Sequence, residues 1–247
     1  MSQIVYLGHA TTLIELGSTR LLTDPLLRPR IRGLVHRHPH VLQPPPSRVD
    51  AVLISHLHHD HLDLLSLRLL GEETRVFAPR HSRALLRRAG FLNTQEVQPG
   101  DWVEIGDVRV LTTRAIHLGL RPPLGPWGGS VGFVLESEHR VYFAGDTQAF
   151  PAMGSLGPID VALMPIAGWG PVLGPGHMGP NAAVEALRLI RPKMVIPIHW
   201  GSLVPFGLHH RTWSYLTRPV LDFVEGMHHH LPDIQVHVLQ PGESLDF

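Results

Sequence analysis

Ile54-Ser55-His56-Leu57-His58-His59-Asp60-His61-Leu62-Asp63 follows the apolar run Val49 to Ser55 and leads into a helical pattern, Leu62 to Leu70, that ends at Gly71. A buried strand that gives way to a loop and then a helix is where α/β proteins gather functional side chains, because loops at strand ends converge on one point. His56 and His58 alternate in extended chain and can point the same way. Asp60 and His61 stand where the chain turns into the helix and can point at a neighbouring position. These four potential ligands within six residues exceed what one metal ion takes from a single tight loop, so the spacing suggests two ions.

Outward from this segment, short strands alternate with single helices. Upstream, Ile4 to Tyr6, Thr11 to Leu16 and Arg20 to Thr23 read as strands separated by Gly-containing turns, and Asp24-Pro25 ends the third. Residues 26–48, rich in Pro, Arg and His, are expected to form one long loop, and loops of that length are usually functional. Downstream, Arg75 to Ala78 reads as a strand and Arg80 to Ala89 as a helix closed by Gly90. Strands are expected over Trp102 to Ile105, Val108 to Thr113, Ser130 to Glu136, Arg140 to Ala144, Ile159 to Pro165 and Met194 to Ile198. Pro180 suits the first turn of a helix reaching Ile190. Arg218 to Met227 reads as helical, and Ile234 to Leu239 as a closing strand. The pattern implies two sheets packed face to face with helices outside, an αββα sandwich. No linker separates the halves, so residues 1–247 are expected to form a single domain.

Composition narrows the chemistry. The chain has 247 residues, 43% apolar and 17% charged, which argues against long disorder. Its formal net charge is zero, so no nucleic-acid partner is expected. It has 19 histidines and no cysteine. That removes disulfides, thiolate catalysis, Fe–S clusters and cysteine zinc sites in one step. No window approaches the roughly 18 apolar residues of a membrane span, and Met1 to His9 carries no basic leader pattern. A cytoplasmic protein with no membrane partner is therefore expected.

The opening segment resembles the His-x-His-x-Asp-His signature of the metallo-β-lactamase fold superfamily. Ala115-Ile116-His117, Tyr142-Phe143-Ala144-Gly145-Asp146-Thr147 and Val195-Ile196-Pro197-Ile198-His199-Trp200-Gly201 are similar to the family's later ligand segments, in order and each at an expected strand end. The likeness runs from about Ile4 to Gly201. It implies the four-layer α/β sandwich of that family. It also implies that His56, His58 and His117 bind one divalent ion, that Asp60, His61 and His199 bind a second, and that Asp146 bridges them. Two ions about 3.5–4 Å apart lower the pKa of a shared water from 15.7 toward roughly 7, which supplies a hydroxide nucleophile at neutral pH. The donor set suits Zn²⁺ and accepts Mn²⁺.

Residues at the signature positions separate branches of the superfamily. β-Lactamases generally have Cys where Asp146 stands, and the flavodiiron oxidoreductases carry Glu where His58 stands. Tyr6-Leu7-Gly8-His9-Ala10-Thr11, Leu22-Thr23-Asp24-Pro25, Gly176-His177-Met178-Gly179-Pro180-Asn181 and His199-Trp200-Gly201 resemble two groups. One is the ascorbate-6-phosphate lactonase type, the other the N-acyl-phosphatidylethanolamine phospholipase D type. Trp127-Gly128-Gly129 leans toward the second. No lipid-binding helix is apparent, so a lipid substrate is not carried over.

The resemblance implies a dinuclear hydrolase that uses a metal-bridging hydroxide to cleave a phosphodiester or a lactone or other ester. A non-catalytic metal-binding or sensor protein and a thioesterase of the glyoxalase II type are the alternatives. Asp60, His177 and His9 are the catalytic candidates, the two histidines because those positions lie near the metals in the resembling groups. His177 precedes a helix N-terminus, which favours a small anionic substrate. Both histidines have a structural reading as well. Asp24 reads as a turn residue before Pro. Asp63 reads either as the carboxylate behind a ligand histidine or as a helix start. Trp127, Trp169 and Trp200 line the pocket or pack the core. His36, His38 and His40 read as solvated residues of the long loop or as a lid. His228 to His230 end a helix favourably, and Arg80 to Arg88 is expected to be a solvated face.

Overall fold

Adjacent residues of the first strands face opposite ways and find apolar partners on both sides. Ile14, Leu21 and Leu53 point into one buried cluster, while Leu13, Leu22 and Val52 point into another. A strand covered on both faces reads as an apolar run, as Leu13-Ile14, Leu21-Leu22 and Ala51-Val52-Leu53 do. The protein is seen in a computed structural model that describes residues 2–38, 45–123, 125–170, 172–208 and 213–247. His40 lies outside the described residues.

In chain order the elements of the first half are β1 (Ser2–Gly8), β2 (Thr11–Leu16), β3 (Thr19–Thr23), β4 (Arg30–Ile31), β5 (Leu34–His36), β6 (Ala51–Leu53), α1 (Leu64–Arg68), β7 (Val76–Pro79), α2 (Arg83–Arg88) and β8 (Thr94–Val97). The second half has β9 (Trp102–Ile105), β10 (Val108–Arg114), β11 (Val131–Glu136), β12 (Arg140–Phe143), β13 (Val161–Pro165), α3 (Pro180–Ile190), β14 (Met194–Ile198), β15 (Leu203–Pro205), α4 (Ser214–His230), β16 (Gln235–Val236) and β17 (Ser244–Asp246). One sheet runs β17-β1-β2-β3-β6-β7-β8 and the other β16-β14-β13-β12-β11-β10-β9. Hairpins build the antiparallel part of each sheet, except that β17 from the far end of the chain pairs antiparallel with β1. Parallel pairs such as β3–β6 and β13–β14 need crossovers, and the helices supply most of them.

Between the sheets lies a core that includes Ile4, Leu21, Phe77, Phe133, Phe143 and Ile196. Outside the first sheet, Leu67 and Leu86 of α1 and α2 cover Val52 and Val76. Outside the second, Leu187 of α3 and Phe223 of α4 cover Tyr142, Ala162 and Val195. The four layers are helix, sheet, sheet, helix, as the alternation of elements implied.

Local corrections follow from tertiary pairing. Residues 26–48 are not one loop: β4 and β5 form a hairpin that joins β15 in a three-stranded sheet. Strands of two and three residues paired across most of the chain leave no periodicity to read. The helix expected from Arg218 begins at Ser214, because Pro219 sits inside it and not in its first turn. The helix expected over Leu62 to Leu70 is Leu64–Arg68, and Arg80 to Ala89 shortens to Arg83–Arg88. β8 and β17 are unexpected; both are mostly polar edge strands.

Candidate metal centre

The C-terminal ends of β6, β10, β12 and β14 open toward one place. Ser55, just past β6, accepts a backbone hydrogen bond from Val131 of the other sheet at 2.9 Å, and His199 N donates to His9 O at 2.8 Å. Gly145, past β12, has φ +60°, and a Cβ there would stand 2.6 Å from the Ser55 Cβ. Only glycine lets the two sheet ends approach this closely. His9, Asp24 and His199 also have positive φ, at 57°, 35° and 61°. Each costs about 1–2 kcal/mol for a residue with a side chain, and such strain gathers at functional sites.

Two groups of donors converge here. His58 Nδ1 lies 3.0 Å from His56 Nε2 and 3.1 Å from His117 Nε2. His61 Nε2 and His199 Nε2 are 3.0 Å apart, and each is 3.7 Å from Asp60 Oδ2. Asp146 Oδ2 stands between the groups, 3.2 Å from His61 Nε2, 3.4 Å from His199 Nε2 and 3.9 Å from His56 Nε2. The sequence-predicted ligands are therefore all brought together.

The far side of these rings decides what the near side offers. His117 Nδ1 donates to Gly176 O at 2.9 Å, and His199 Nδ1 donates to Ala167 O at 3.0 Å. His61 Nδ1 donates to Asp24 Oδ2 at 2.7 Å. Ser55 Oγ donates to the same carboxylate oxygen, and so accepts from His56 Nδ1 at 3.0 Å. Each Nδ1–H is thus committed, and each Nε2 turns a lone pair inward. Lone pairs facing each other at this range repel unless a cation lies between them. The buried Asp146 Oδ1 has no hydrogen-bond partner among the described residues. The donor set fits divalent metal ions: neutral imidazole nitrogens, two carboxylates and acceptors that orient the rings.

Electrostatics agree with the geometry. Burial pushes the His56 pKa well below the usual imidazole range and that of His117 down to about 4, which keeps both rings neutral. Burial opposes charge on His61, but Asp146, Asp60 and Asp24 outweigh it and raise its pKa: three carboxylates call for positive charge here, which a proton on Nε2 or a cation beside it supplies. Burial also opposes charge on Asp146, and His199 and His61 outweigh it, holding the carboxyl well below the usual range.

Asp24 takes a role unlike the one its position suggested, and Asp63 takes the helix-start one of its two readings. Asp24 does more than fix a turn. It sits fully buried behind His61 and accepts Ser55 N at 2.7 Å. Asp63 caps α1, accepting Ser66 N at 3.0 Å, and receives both Nε and Nη2 of Arg28. His9 is fully buried, with Nε2 at 3.0 Å from Asp60 Oδ2 and Nδ1 at 2.7 Å from Ser202 Oγ. His177 reaches the cleft: its Nδ1 donates to Gly174 O at 3.1 Å, and its Nε2 is 3.3 Å from Asp146 Oδ2.

Arg121 carries no sequence signal and proves central. Buried in the 118–129 loop, its Nη1 donates to Leu57 O at 2.8 Å and to Leu62 O at 2.9 Å, clamping both ends of the ligand loop. Burial lowers its pKa to about 10. A Cβ on Gly128 would meet Leu57 Cδ1 at 2.7 Å, so that glycine lets the same loop lie against the ligand segment.

Above the donors lies a cleft of about 560 Å³ whose walls include His58, Asp60, His177, Ile31, Arg32 and Trp169. A larger cavity, about 900 Å³, opens between α4 and Tyr6 and is walled by none of the converging donors, so size alone does not mark the site. Trp200 packs in the core and donates to Pro197 O at 3.0 Å; Trp127 is exposed outside the cleft; Trp169 lines it.

Residues 19–200 match the family described as Beta-lactamase superfamily domain. A UPF0173 metal-dependent hydrolase from Opitutus terrae is 37% identical over 209 residues, covering 81% of this chain and 85% of its own. Another from Caldivirga maquilingensis is 29% identical over 252 residues, covering 100% and 98%. Among solved structures, Igni18, a metallo hydrolase from Ignicoccus hospitalis, superposes with a TM-score of 0.74 at 22% identity, over 100% of this chain and 99% of that one.

Proposed function

The chain belongs to the beta-lactamase superfamily, and from that premise we propose that it is a dinuclear hydrolase of small phosphodiesters or lactones and related esters. The observation that carries this is the convergence of His56, His58, His117, Asp60, His61 and His199 around Asp146 Oδ2, with the far nitrogens of four rings already committed as donors.

His56, His58 and His117 would hold one divalent ion, and Asp60, His61 and His199 the other, with Asp146 shared. Zn²⁺ or Mn²⁺ so held would supply Lewis-acid polarisation of the scissile group and a hydroxide at neutral pH. The chain's own residues do the rest. Asp24, Ser55, Gly176 O and Ala167 O fix ring tautomers, so the site needs little reorganisation as charge develops. Ser202 donates to His9, and His9 in turn donates to Asp60, holding that carboxylate in place. Fully buried, His9 is a positioning residue. His177 faces the cleft with Nε2, where it can donate to a substrate oxygen or protonate a leaving group.

Hydrolysis reads as the site's chemistry because nitrogen donors dominate one group and no cysteine is available for thiolate or Fe–S chemistry. Among the described residues no helix is long and apolar enough to cross a membrane. The test is a metal titration of untagged protein, followed by bis(p-nitrophenyl) phosphate, a lactone panel and a thioester. About two ions per chain with turnover of the diester or a lactone is expected. Fewer than one ion per chain after supplementation overturns the dinuclear reading. Full metal with no turnover makes the protein a metal-binding sensor, and turnover of the thioester alone makes it a thioesterase.

A further inference from the structure

The cleft has a second polar feature besides the metal-ligand cluster. Arg32 stands at the tip of the β4–β5 hairpin, on the same wall as Ile31. Its Nη2 is 2.6 Å from His59 Nε2, and that nitrogen is also 2.9 Å from Pro122 O. One ring nitrogen cannot serve both partners. If His59 donates Nε2–H to Pro122 O, the guanidinium has no acceptor there. If it accepts from Arg32, the guanidinium still keeps most of its N–H donors free. Among the described residues Arg32 has no carboxylate partner, whereas Arg28 is paired with Asp63 and Arg121 with two carbonyls.

Backbone conformation makes the placement costly. Arg32 has φ 49°, in the left-handed region, while the adjacent Gly33 does not use its freedom. A glycine at position 32 would make this turn without the steric cost, so the turn itself does not call for arginine. The rest of the wall is largely apolar: Ile31, Leu34, Trp169 and the two prolines 122 and 123. A guanidinium beside apolar walls attracts an oxyanion more strongly than one in open water.

We propose that Arg32 determines specificity in this cleft by binding a carboxylate at the end of the substrate away from the scissile bond, across an apolar linker. A single guanidinium on an otherwise neutral rim matches one negative charge; a phosphate dianion generally gathers several cations or backbone N–H groups. In the arrangement where its Nε2 accepts from Arg32, His59, the one histidine of the opening segment outside the donor set, orients the guanidinium. The word substrate rests on the hydrolase reading above; the carboxylate site does not.

Isothermal titration of the metal-loaded chain tests this without turnover. The probes are malonate, succinate, glutarate and adipate, each beside its monoamide, which keeps one carboxylate for the metal centre and loses the other. At one chain length the diacid is expected to bind about ten-fold tighter than its monoamide, the order of a charge-assisted hydrogen-bonded pair. In Arg32→Gly that ratio falls to near one, and in Arg32→Lys part of it survives. A diacid has two ends that could meet the metals, but this statistical advantage is the same in every variant. Thermal melting checks that Arg32→Gly folds; relief at φ 49° predicts a melting temperature no lower than that of the native chain. No diacid preference at any length, no binding of any probe, or a preference that Arg32→Gly leaves intact overturns the proposal. A chain inert toward every ester yet showing the Arg32-dependent ratio loses the hydrolase reading and keeps the carboxylate site.

Discussion

The floor and the mouth of the cleft are built on opposite plans. On the floor, nearly every polar atom is committed: Asp24 alone serves Ser55 N, Ser55 Oγ and His61 Nδ1. At the mouth, Arg32 and Trp169 project from short segments with few partners. The floor sits on strand ends buried on both sides, whereas the mouth rests on β4 and β5, two and three residues long. A rigid floor preorganises one chemistry, and a lightly held mouth lets substrate choice vary without disturbing it. Substitutions below and above this boundary should therefore differ in kind: floor changes lose metal and rate together, and mouth changes alter only what binds.

The largest effect belongs to the atom shared by both donor groups. Asp146→Ala should lower bound metal toward one ion per chain or fewer, and reduce kcat for the best panel substrate by ~10³-fold or more, since several kcal/mol of Lewis-acid stabilisation depend on that geometry. Metal analysis beside steady-state kinetics checks it; unchanged metal and rate would break the bridging assignment. Next stands Arg121→Met, which leaves Leu57 O and Leu62 O without their shared donor. Destabilisation of ~2–4 kcal/mol in urea and a drop in metal affinity of about 10–100-fold are expected. Arg32→Gly should show neither loss. If the two arginine variants weakened metal binding equally, floor and mouth would not be separate regions.

The same boundary governs what the sequence alone discloses. His56, His58, His117, Asp146 and His199 are legible because each follows an apolar strand whose end must lie at the sheet edge, and two packed sheets bring those edges together. The four layers are legible for the same reason, as apolar runs and helix periods survive in one dimension. Asp24 is not, because Asp before Pro reads as a turn; only the pairing of β3 with β6 carries it behind His61. Arg121 and the β4–β5–β15 sheet are hidden because their partners lie far along the chain and their segments have no period. Trp127 and Trp169 look alike as exposed indoles in glycine-rich loops, yet only Trp169 faces the cleft.

Within the floor a finer gradation is expected. Asp24→Asn keeps the volume but not the charge behind His61 and should weaken metal binding by about 10–100-fold, read by competition with a chelator. The loss should fall mainly at the donor group of Asp60, His61 and His199, since His61 is the one histidine of the donor set that is hydrogen-bonded to Asp24 among the described residues. Equal loss at both ions would mean that Ser55 passes the perturbation on to His56.

Ser202→Ala acts on the donor set only through His9 and should do least. Asp60 is ionised: burial opposes its charge, but His61, His199 and the donor His9 outweigh it and hold its pKa well below the usual carboxylate range. His9 must then present Nε2–H to Asp60, and with burial pushing its own pKa down to about 3 the ring is neutral, so Nδ1 carries the lone pair. Ser202 Oγ–H donates to that lone pair at 2.7 Å and thereby selects the tautomer. Without the hydroxyl, Asp60 still favours the same tautomer, and the loss is one buried hydrogen bond, about 1 kcal/mol, or at most a ~5-fold fall in kcat. His9→Ala removes the donor to Asp60 itself and should cost more, in metal retention as well as rate. If Ser202→Ala matched His9→Ala in both readouts, the tautomer would be set by Ser202 and not by Asp60, and the order of control along this chain of bonds would be reversed.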